Sequence, residues 1–377
     1  MQFRGRAGLL QRVFVPYRAQ VFDLIAQGCA GGLSIAAGDP APSEAIVRAD
    51  PKILRTAEYF ELRNRHFFSE HMYLCWQSGL TDWLSIADPD VVVVEANPRY
   101  ISIPVVLRWM HARDRPVLGH GLGVMPLSSG FERVRQIGRK WLYCSFDAIV
   151  AYSSRAAEGY VALGVPPDNV FIASNAVSPR PTWVCPVREE KLDRKPRVLF
   201  TGRLTASKRV DILIEACSTI RAVCPVDLWI VGEGPERSAL EMSASRILPE
   251  ARFFGEKRGH QLAELFAAAD IFVLPGLGGL AVQEAMAYGM PVIVADGDGT
   301  QSDLVRPGNG WNISGGDSRV LAQCLINALS NIPRLRAMGR ESYRIIADEI
   351  NAETMAESFL TAFAYALDKR RGTRTNS

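Results

Sequence analysis

The stretch LPGLGGLAVQEAMAYGMPVIVADGDGTQSDLV, residues 274–305, decides how the fold is interpreted. An apolar run ends in a glycine cluster, and the apolar spacing beyond it predicts a helix that starts at Leu280. Gly289 and Pro291 end that helix, and the run VIVAD predicts a return to a sheet. A strand, a glycine turn, a helix and another strand in this order are typical of a parallel α/β sheet.

The same alternation recurs on both sides of a proline-rich segment. The predicted strands are VVVVEA, PVLGH, DAIVAY and NVFIAS before it, and RVLFTG, VDLWIVGEG, RFFGE, DIFVLPG and PVIVAD after it. Because unbroken β-branched runs are buried on both faces of a sheet, we predict two doubly wound α/β domains. The predicted boundaries are 1–180, a linker at 181–196, a second domain at 197–350 and a C-terminal helix at 351–370. That helix either covers its own domain or packs back on the first.

The composition is that of a globular chain. With 377 residues, 48% of them hydrophobic and 22% charged, each of two domains can bury a core. A net charge of +3 argues against a nucleic-acid binder. The seven cysteines are dispersed, the N-terminal region lacks a signal-peptide pattern, and no apolar run reaches about 18 residues. We therefore predict a cytoplasmic protein.

The segment GRLTASKRVDILIEA carries two cations at the carboxyl end of a predicted strand. Gly202 ends the strand, and Arg203 and Lys208 lie in the loop before a helix that is predicted to begin near Lys208. Cations beside the free amides of a helix N terminus form an arrangement that binds phosphate. Solvated surface cations would give the same pattern, so both interpretations stay open.

Glu284 lies one turn inside the helix that Gly278 and Gly279 open. The glycines permit close approach to the backbone, and the amides of the helix N terminus attract a diphosphate. The glutamate side chain points back toward that end and can accept hydrogen bonds from two vicinal hydroxyls. A glutamate in the first turns can also simply offset the helix dipole. The order of the motifs in this domain favours ligand binding.

These motifs together resemble the nucleotide-sugar-binding domain of the family 4 retaining glycosyltransferases of GT-B fold. The matching segments are GRLTASKRVDILIEA, VGEGPERSALE, FFGE, LAELFAAADIFVLPG and GLAVQEAMAYGMPVIVAD. The first half is similar more loosely, through YSSRAAEGYVALGVPPDNVFIASNAV. The resemblance implies an α/β GT-B fold, in which two Rossmann-like doubly wound domains face a central cleft.

The resemblance also implies roles for individual residues. Arg203 and Lys208 neutralise the diphosphate of a nucleotide-sugar donor, and Glu284 holds the ribose hydroxyls. Further donor-binding positions are Gly202, Gly255, Lys257, Gly278, Gly279, Leu280 and Ala281. No metal ion or cofactor is expected, because the cations and the helix end stabilise the departing diphosphate.

The chain departs from the family pattern at Gly276. The family usually has two glutamates in an E-x7-E spacing, and the first of them, which contacts the transferred sugar, would fall on Gly276. The polar segment DGDGTQ further along contains Asp296, Asp298, Thr300 and Gln301. It supplies the sugar contact instead or forms a plain turn, since D-G pairs favour turns.

The first half offers one candidate side chain and one candidate surface. His120 lies between glycines at the end of a predicted strand, where a histidine of similar enzymes contacts the donor sugar; a structural histidine is the alternative. The predicted helix FERVRQIGRKWLYC has an apolar side and several basic residues. It is either a core helix with a solvated basic side or, together with Arg4, Arg6, Arg12 and Arg18, a basic face for an anionic membrane.

We therefore predict a retaining, metal-independent hexosyltransferase that acts in the synthesis of cell-surface polysaccharide or glycolipid. Its partners would be a nucleotide-sugar donor and a saccharide or lipid-linked acceptor, in the cytoplasm or at the inner face of the cell membrane. The alternatives are a nucleotide-sugar epimerase or hydrolase of the same fold, and a non-catalytic subunit that binds the nucleotide sugar. A dehydrogenase is disfavoured because no G-x-G-x-x-G follows a strand.

Overall fold

The computed structural model describes residues 2–42, 44, 46–68, 73–123, 132–297 and 301–375. The chain divides into two compact units, one formed by Met1–Pro179 with Ala352–Ser377 and the other by Arg180–Asn351. Each unit contains a parallel sheet with helices, which confirms the predicted α/β class.

In the first unit, the described residues form a seven-stranded parallel sheet in the order β3-β2-β1-β6-β7-β8-β9, and β4 pairs with β5 in an antiparallel hairpin. The strands are β1 (Ala7–Val13), β2 (Leu33–Gly38), β3 (Glu58–Glu61), β4 (Arg63–Phe67), β5 (Leu74–Ser78), β6 (Val91–Glu95), β7 (Val117–Gly121), β8 (Ala148–Ala151) and β9 (Val170–Ile172). The helices are α1 (Ala19–Gly28), α2 (Leu80–Ala87), α3 (Ile103–His111), α4 (Glu132–Cys144) and α5 (Ser154–Ala162). The four strands predicted for this half are β6 to β9. The sequence did not predict β1 to β5.

In the second unit, six strands of the described chain form a parallel sheet in the order β12-β11-β10-β13-β14-β15. The strands are β10 (Arg197–Thr201), β11 (Asp227–Val231), β12 (Arg252–Phe253), β13 (Ile271–Leu274), β14 (Val292–Ala295) and β15 (Gly310–Ile313). The helices are α6 (Val210–Ile220), α7 (Arg237–Ile247), α8 (Gly259–Ala268), α9 (Leu280–Ala287), α10 (Gln301–Leu304), α11 (Ser318–Leu329) and α12 (Ile332–Arg344), and a π-helical turn (Ile345–Glu349) follows α12. The order reverses between β10 and β13, and ligands of doubly wound sheets bind at such a point, beyond the carboxyl ends of the strands.

The C-terminal helix, α13 (Ala352–Thr375), belongs to the first unit and packs against α1. Its buried residues include Met355, Phe359 and Phe363, which recur every four residues along one face. The Phe363 ring meets the Phe3 ring edge-on with their centroids 5.6 Å apart. In the described part of the chain, no helix has both the length and the apolar character needed to cross a bilayer.

Residues 181–196, predicted as a linker, lie in the second unit and are held there by specific contacts. The Trp183 ring stacks on Tyr288 with centroids 5.0 Å apart, and its indole N–H donates to the Ala287 carbonyl at 3.2 Å. The Arg188 guanidinium donates to the carbonyl oxygens of Phe266, Ala269, Tyr288 and Gly289, which terminate α8 and α9. This segment therefore caps the carboxyl ends of the two helices.

Candidate functional site

Two glycine turns at the carboxyl edge of the second sheet lie directly against each other. Gly232, with a φ of 139°, leaves so little space that a Cβ atom there would lie 2.9 Å from the Gly202 carbonyl carbon. A Cβ at Gly234 would lie 2.7 Å from the Leu204 amide nitrogen. The Leu204 N–H donates to the Glu233 carbonyl at 2.8 Å. The loop that carries Arg203 is thus fixed by backbone contacts with the loop after β11.

The cations at this edge lie in a turn that precedes helix α6. The predicted helix start near Lys208 is wrong by two residues, because Arg209 has a φ of 52° and α6 begins at Val210. Arg203 is exposed, and Lys208 is half-buried and donates to the Leu277 carbonyl. Burial lowers the pKa of Lys208. Over the described ranges neither cation has a carboxylate partner, so both charges are available to an anion.

The glycine loop before α9 lies on the turn that carries Lys208. A Cβ atom at Gly276 would lie 2.7 Å from the Lys208 Cα and 2.5 Å from its carbonyl carbon. The Leu277 N–H donates to the Ser207 carbonyl at 2.9 Å, and the Lys208 ammonium lies against Gly278, whose φ is 142°. The position where the resemblance expects an acid is therefore closed by backbone.

Glu284 lies in α9 as predicted, with Gly279 as the N-cap. Its side chain is half-buried, and burial raises the pKa of its carboxyl group. Across the described residues, no hydrogen bond or ion pair holds this carboxylate. A desolvated carboxylate without a partner is costly, so a hydrogen-bonding ligand would stabilise it. Leu280 and Ala281 form the first turn of the same helix.

The Gln301 side chain contacts the glycine loop. Its side chain is buried, and its amide nitrogen donates to the Gly278 carbonyl at 3.1 Å. Gln301 belongs to the polar DGDGTQ segment, and it is the first residue of α10. The predicted donor-binding residues Asp298 and Thr300 of that segment lie outside the described residues.

Gly255 and Lys257 follow β12 at the neighbouring strand end. Gly255 has a φ of 68°, and its carbonyl accepts a hydrogen bond from the Gly232 amide at 2.8 Å. Glu233, in the turn after β11, forms an ion pair with Arg237. Lys257 is half-buried. Backbone hydrogen bonds thus connect the Gly255 turn to the turn after β11, and that turn to the loop that carries Arg203.

His120 lies in the first unit, at the carboxyl end of β7, and only 3% of its surface is exposed. Its Nε2 accepts from the Gln11 amide at 2.8 Å, so the ring proton lies on Nδ1, 2.6 Å from the Tyr152 hydroxyl oxygen. Burial, together with the nearby charge of Arg18, lowers the pKa of His120 to about 3. The ring is therefore neutral at physiological pH, and both of its nitrogens are engaged. Sequence reasoning missed Gln11 and Tyr152, because nothing in their spacing links them to His120. It placed Arg18 on the candidate membrane face, which is wrong because Arg18 is buried.

The structure thus brings together Lys208, Gly276, Gly278 and Gln301, and places Glu284 in the helix that follows. His120 belongs to the other unit. In the ranges that the structure covers, no three His, Cys, Asp or Glu side chains form a group that could hold a metal ion.

Comparison with protein families matches residues 195–331 to a family described as Glycosyl transferases group 1. A GDP-mannose-dependent alpha-mannosyltransferase of Mycolicibacterium smegmatis is 32% identical over an alignment of 240 residues, and this alignment covers 58% of this chain and 59% of that protein. This chain thus covers less than two thirds of that relative. A D-inositol 3-phosphate glycosyltransferase of Nocardia farcinica is 26% identical over 338 residues, 84% of this chain and 69% of that protein.

Two solved structures are similar over almost the whole chain. The structure of Anabaena Alr3699/HepE in complex with UDP has a TM-score of 0.69 at 16% identity, covering 97% of this chain and 100% of that one. The apo form of the lipopolysaccharide outer core galactosyltransferase WaaB has a TM-score of 0.68 at 16% identity, covering 96% and 99%. At these identities the likeness concerns the fold alone, and it confirms the predicted α/β fold of GT-B type.

Proposed function

We propose that this chain, whose residues 195–331 match the group 1 glycosyl transferases, moves a sugar from a nucleoside diphosphate donor to a saccharide or lipid-linked saccharide. The observation that carries the proposal is the pair of cations, Arg203 and Lys208, which lack carboxylate partners in the described chain and lie between β10 and α6. Lys208 lies directly against the glycine loop that opens α9. The names of two relatives, a GDP-mannose-dependent mannosyltransferase and an inositol phosphate glycosyltransferase, support a sugar donor. The UDP of the Anabaena structure supports a nucleoside diphosphate.

In the proposed reaction, the bond between the anomeric carbon and the diphosphate oxygen breaks. The electron pair passes to the diphosphate, where Arg203, Lys208 and the α9 amides stabilise the developing charge. An acceptor hydroxyl oxygen then bonds to the anomeric carbon on the same face, so the configuration is retained, and the hydroxyl proton passes to the departing diphosphate oxygen. Neither a metal ion nor a cofactor has a part in this scheme, because the cations and the helix end act on the leaving group.

Glu284 has the role of holding the donor nucleoside. Its desolvated carboxylate accepts hydrogen bonds from the two ribose hydroxyls, which supply the partners that the described residues do not. The turn with Gly255 and Lys257 lies near the base in this proposal. Gln301, held against Gly278, is the candidate for the sugar contact that Gly276 cannot make.

We expect Arg203→Ala and Lys208→Ala each to weaken nucleoside diphosphate binding by about tenfold to a hundredfold, the usual worth of a hydrogen bond to a charged group. A thermal-shift screen of UDP, GDP and ADP identifies the nucleotide, and calorimetric titration then measures its Kd. The same titration with the 2′-deoxy nucleotide tests Glu284. The parent protein should bind the 2′-deoxy nucleotide more weakly than the ribonucleotide, whereas Glu284→Ala should bind the two with equal affinity.

The matched control is Arg221→Ala, which removes an exposed arginine whose ion pair is with Glu250. Arg221 lies at the end of α6 away from Lys208. We therefore expect Arg221→Ala to bind the nucleoside diphosphate with the same Kd as the parent protein. Unchanged affinity in both Arg203→Ala and Lys208→Ala would refute the diphosphate assignment.

We also propose that α4 contacts an anionic membrane and so brings the enzyme to a lipid-linked acceptor at the inner face of the cell membrane. Ile137 and Trp141, one helical turn apart, are 70% and 57% exposed, and the same helix carries Arg139 and Lys140. Exposed apolar side chains beside basic ones are typical of helices that lie in the bilayer interface.

Sedimentation with lipid vesicles tests this contact. The protein should bind phosphatidylcholine vesicles that contain phosphatidylglycerol more strongly than pure phosphatidylcholine, and the double variant Ile137→Ser, Trp141→Ser should lose that binding. Val187→Ser, which removes a 98% exposed apolar residue of the other unit, is the control. Equal binding by the double variant and the control would argue against a membrane role for α4.

A further inference from the structure

Arg18 carries a buried charge in the first unit. It follows β1, ends the short 3-10 turn Pro16–Arg18 and leads into α1, and only 7% of its surface is exposed. Arginine is almost never buried to this degree unless a carboxylate or another anion pairs with it. The partners of this guanidinium therefore need to be identified one by one.

The neighbours of the Arg18 guanidinium are almost all neutral. One terminal nitrogen donates to the Asn175 carboxamide oxygen at 2.7 Å, and the other lies 3.7 Å from the Met355 sulfur, a weak acceptor. The guanidinium lies over the rings of Tyr152 and Tyr17, with centroid distances of 5.0 and 5.5 Å. Of its five N–H donors, one meets an oxygen acceptor among the residues described here.

The ionisable groups nearby do not neutralise this charge. His120 is hydrogen-bonded to the hydroxyl of Tyr152, the ring that Arg18 lies over, and is itself neutral. Glu95 interacts electrostatically with Arg18, but burial raises the pKa of its carboxyl group, and its hydrogen-bond partners are the Arg12 backbone and the Tyr100 side chain. Arg12 in turn pairs with Glu44 at 2.5 Å. No carboxylate of the described chain comes within ion-pair distance of Arg18.

The residues around Arg18 converge on the carboxyl edge of the first sheet. Arg18 follows β1, Tyr152 follows β8 and Asn175 follows β9, while His120 lies at the end of β7. Ligands of doubly wound sheets bind beyond this edge. The buried charge therefore lies where a ligand is expected rather than in the apolar core.

We propose that Arg18 anchors an oxyanion site in the first unit, which binds a phosphate or carboxylate group of a ligand. A guanidinium binds such groups through two parallel hydrogen bonds, and a bound anion supplies the counter-charge that the protein does not. The assignment of that anion to the acceptor substrate rests on the proposed function. The existence of the site does not.

The test measures the binding of inorganic phosphate by calorimetry, with sodium chloride at matched ionic strength as the blank. Since Arg203 and Lys208 are themselves proposed to bind phosphate, every titration uses the double variant Arg203→Ala, Lys208→Ala of the full chain. We expect this protein to bind phosphate at one site, and Arg18→Gln in the same background to weaken that binding by about tenfold or more. Sodium acetate, titrated in parallel, distinguishes a carboxylate ligand from a phosphate.

Arg155→Gln is the matched control, because it removes an exposed arginine of the same unit, and its phosphate affinity should not change. Equal phosphate affinity in Arg18→Gln and Arg155→Gln would overturn the proposal. So would a failure of the double variant, with Arg18 intact, to bind either phosphate or acetate. That second result needs no change at Arg18 and therefore holds even if Arg18→Gln does not fold.

Thermal unfolding separates an anion site from a structural role. Glutamine can still donate to Asn175 while removing the unpaired charge, so ligand-free Arg18→Gln should unfold at the parent temperature or above it, and phosphate should no longer raise that temperature. A large fall in the ligand-free unfolding temperature with the phosphate response intact would contradict the proposal. Nucleoside diphosphate binding by the single Arg203 and Lys208 variants tests the proposed function independently, because Arg18 is unchanged in them.

Discussion

Gly276→Glu is expected to weaken nucleoside diphosphate binding by about tenfold or more rather than to restore a sugar contact. The family pattern suggests the opposite, since it places an acid at this position. In the structure, however, the first side-chain carbon would lie 2.7 Å from the Lys208 Cα and 2.5 Å from its carbonyl carbon. Two backbone segments cannot yield as a flexible side chain does, so the turn at 206–208 must move and carry Lys208 away from the glycine loop. The same argument applies to Gly276→Ala, because the Cβ atom alone makes the collision.

Titration of the nucleotide identified by the thermal-shift screen measures this effect. Both Gly276 variants should lose at least as much affinity as Lys208→Ala, about tenfold or more. Gly315→Ala is the control, because its Cβ atom would meet Ala295 at 3.7 Å, an ordinary contact. Circular dichroism and the unfolding temperature show whether each variant is folded. Parent-like affinity in folded Gly276→Ala would show that the turn adapts and that Lys208 does not depend on Gly276.

Gly276 also shows where sequence reasoning stops. The pattern predicted the start of α9 at Leu280 and placed Glu284 inside it, because helix periodicity and end signals are local. The missing acid was visible in the sequence. The reason for its absence was not visible there. The backbone that occupies the place of the acid belongs to the turn with Lys208, which lies 69 residues before its hydrogen-bond partner Leu277 in the sequence.

The first unit was predicted less completely for a related reason. Strands β6 to β8 are short apolar runs, which the sequence shows directly. Strand β1 contains Gln11 and Arg12, which interrupt its apolar pattern. Gln11 is nevertheless buried, because its amide donates to His120 across the sheet. A polar residue whose partner lies on a distant strand gives no local signal of its burial.

Residues 181–196 have the prolines and charges of a linker, yet Trp183 and Arg188 attach them to the second unit. Their partners lie about 80 to 100 residues further along the chain, at the ends of α8 and α9. A tryptophan and an arginine in this polar segment were the signal that it packs against the second unit. The prolines and charges of the segment as a whole predicted a linker instead.

Asp270→Asn is expected to lower the free energy of unfolding by about 3–5 kcal/mol, the usual cost of removing one partner of a buried ion pair. The Asp270 side chain is 1% exposed and accepts hydrogen bonds from Arg194 at 2.6 Å, from Arg336 at 2.7 Å and from the Arg197 amide at 2.8 Å. Arg336 is itself 3% exposed, so the variant leaves a buried cation without a counter-charge. Chemical denaturation followed by circular dichroism measures the difference.

An exposed pair and a double variant provide the controls. Asp211→Asn breaks the solvent-exposed pair with Arg209 and should cost less than about 1 kcal/mol. Arg336→Met added to Asp270→Asn removes the stranded cation, so the double variant should be more stable than Asp270→Asn alone. A cost for Asp270→Asn that matches that of Asp211→Asn would show that the buried pair contributes no more than a surface pair.

The pH dependence follows from the direction of the Asp270 pKa shift. Burial alone would raise this pKa, but the hydrogen bonds from Arg194, the Arg197 amide and Arg336 lower it overall. A carboxylate whose pKa is lower in the folded state stabilises the protein above its unfolded pKa, about 3.9, and loses that effect as the pH falls through the folded value. The stability difference between the parent and Asp270→Asn should therefore be constant from about pH 5 to pH 8 and shrink below about pH 4. A difference that already shrinks between about pH 8 and pH 5 would mean that Asp270 is protonated in the folded protein near neutrality, and hence that its arginines do not hold it as a carboxylate.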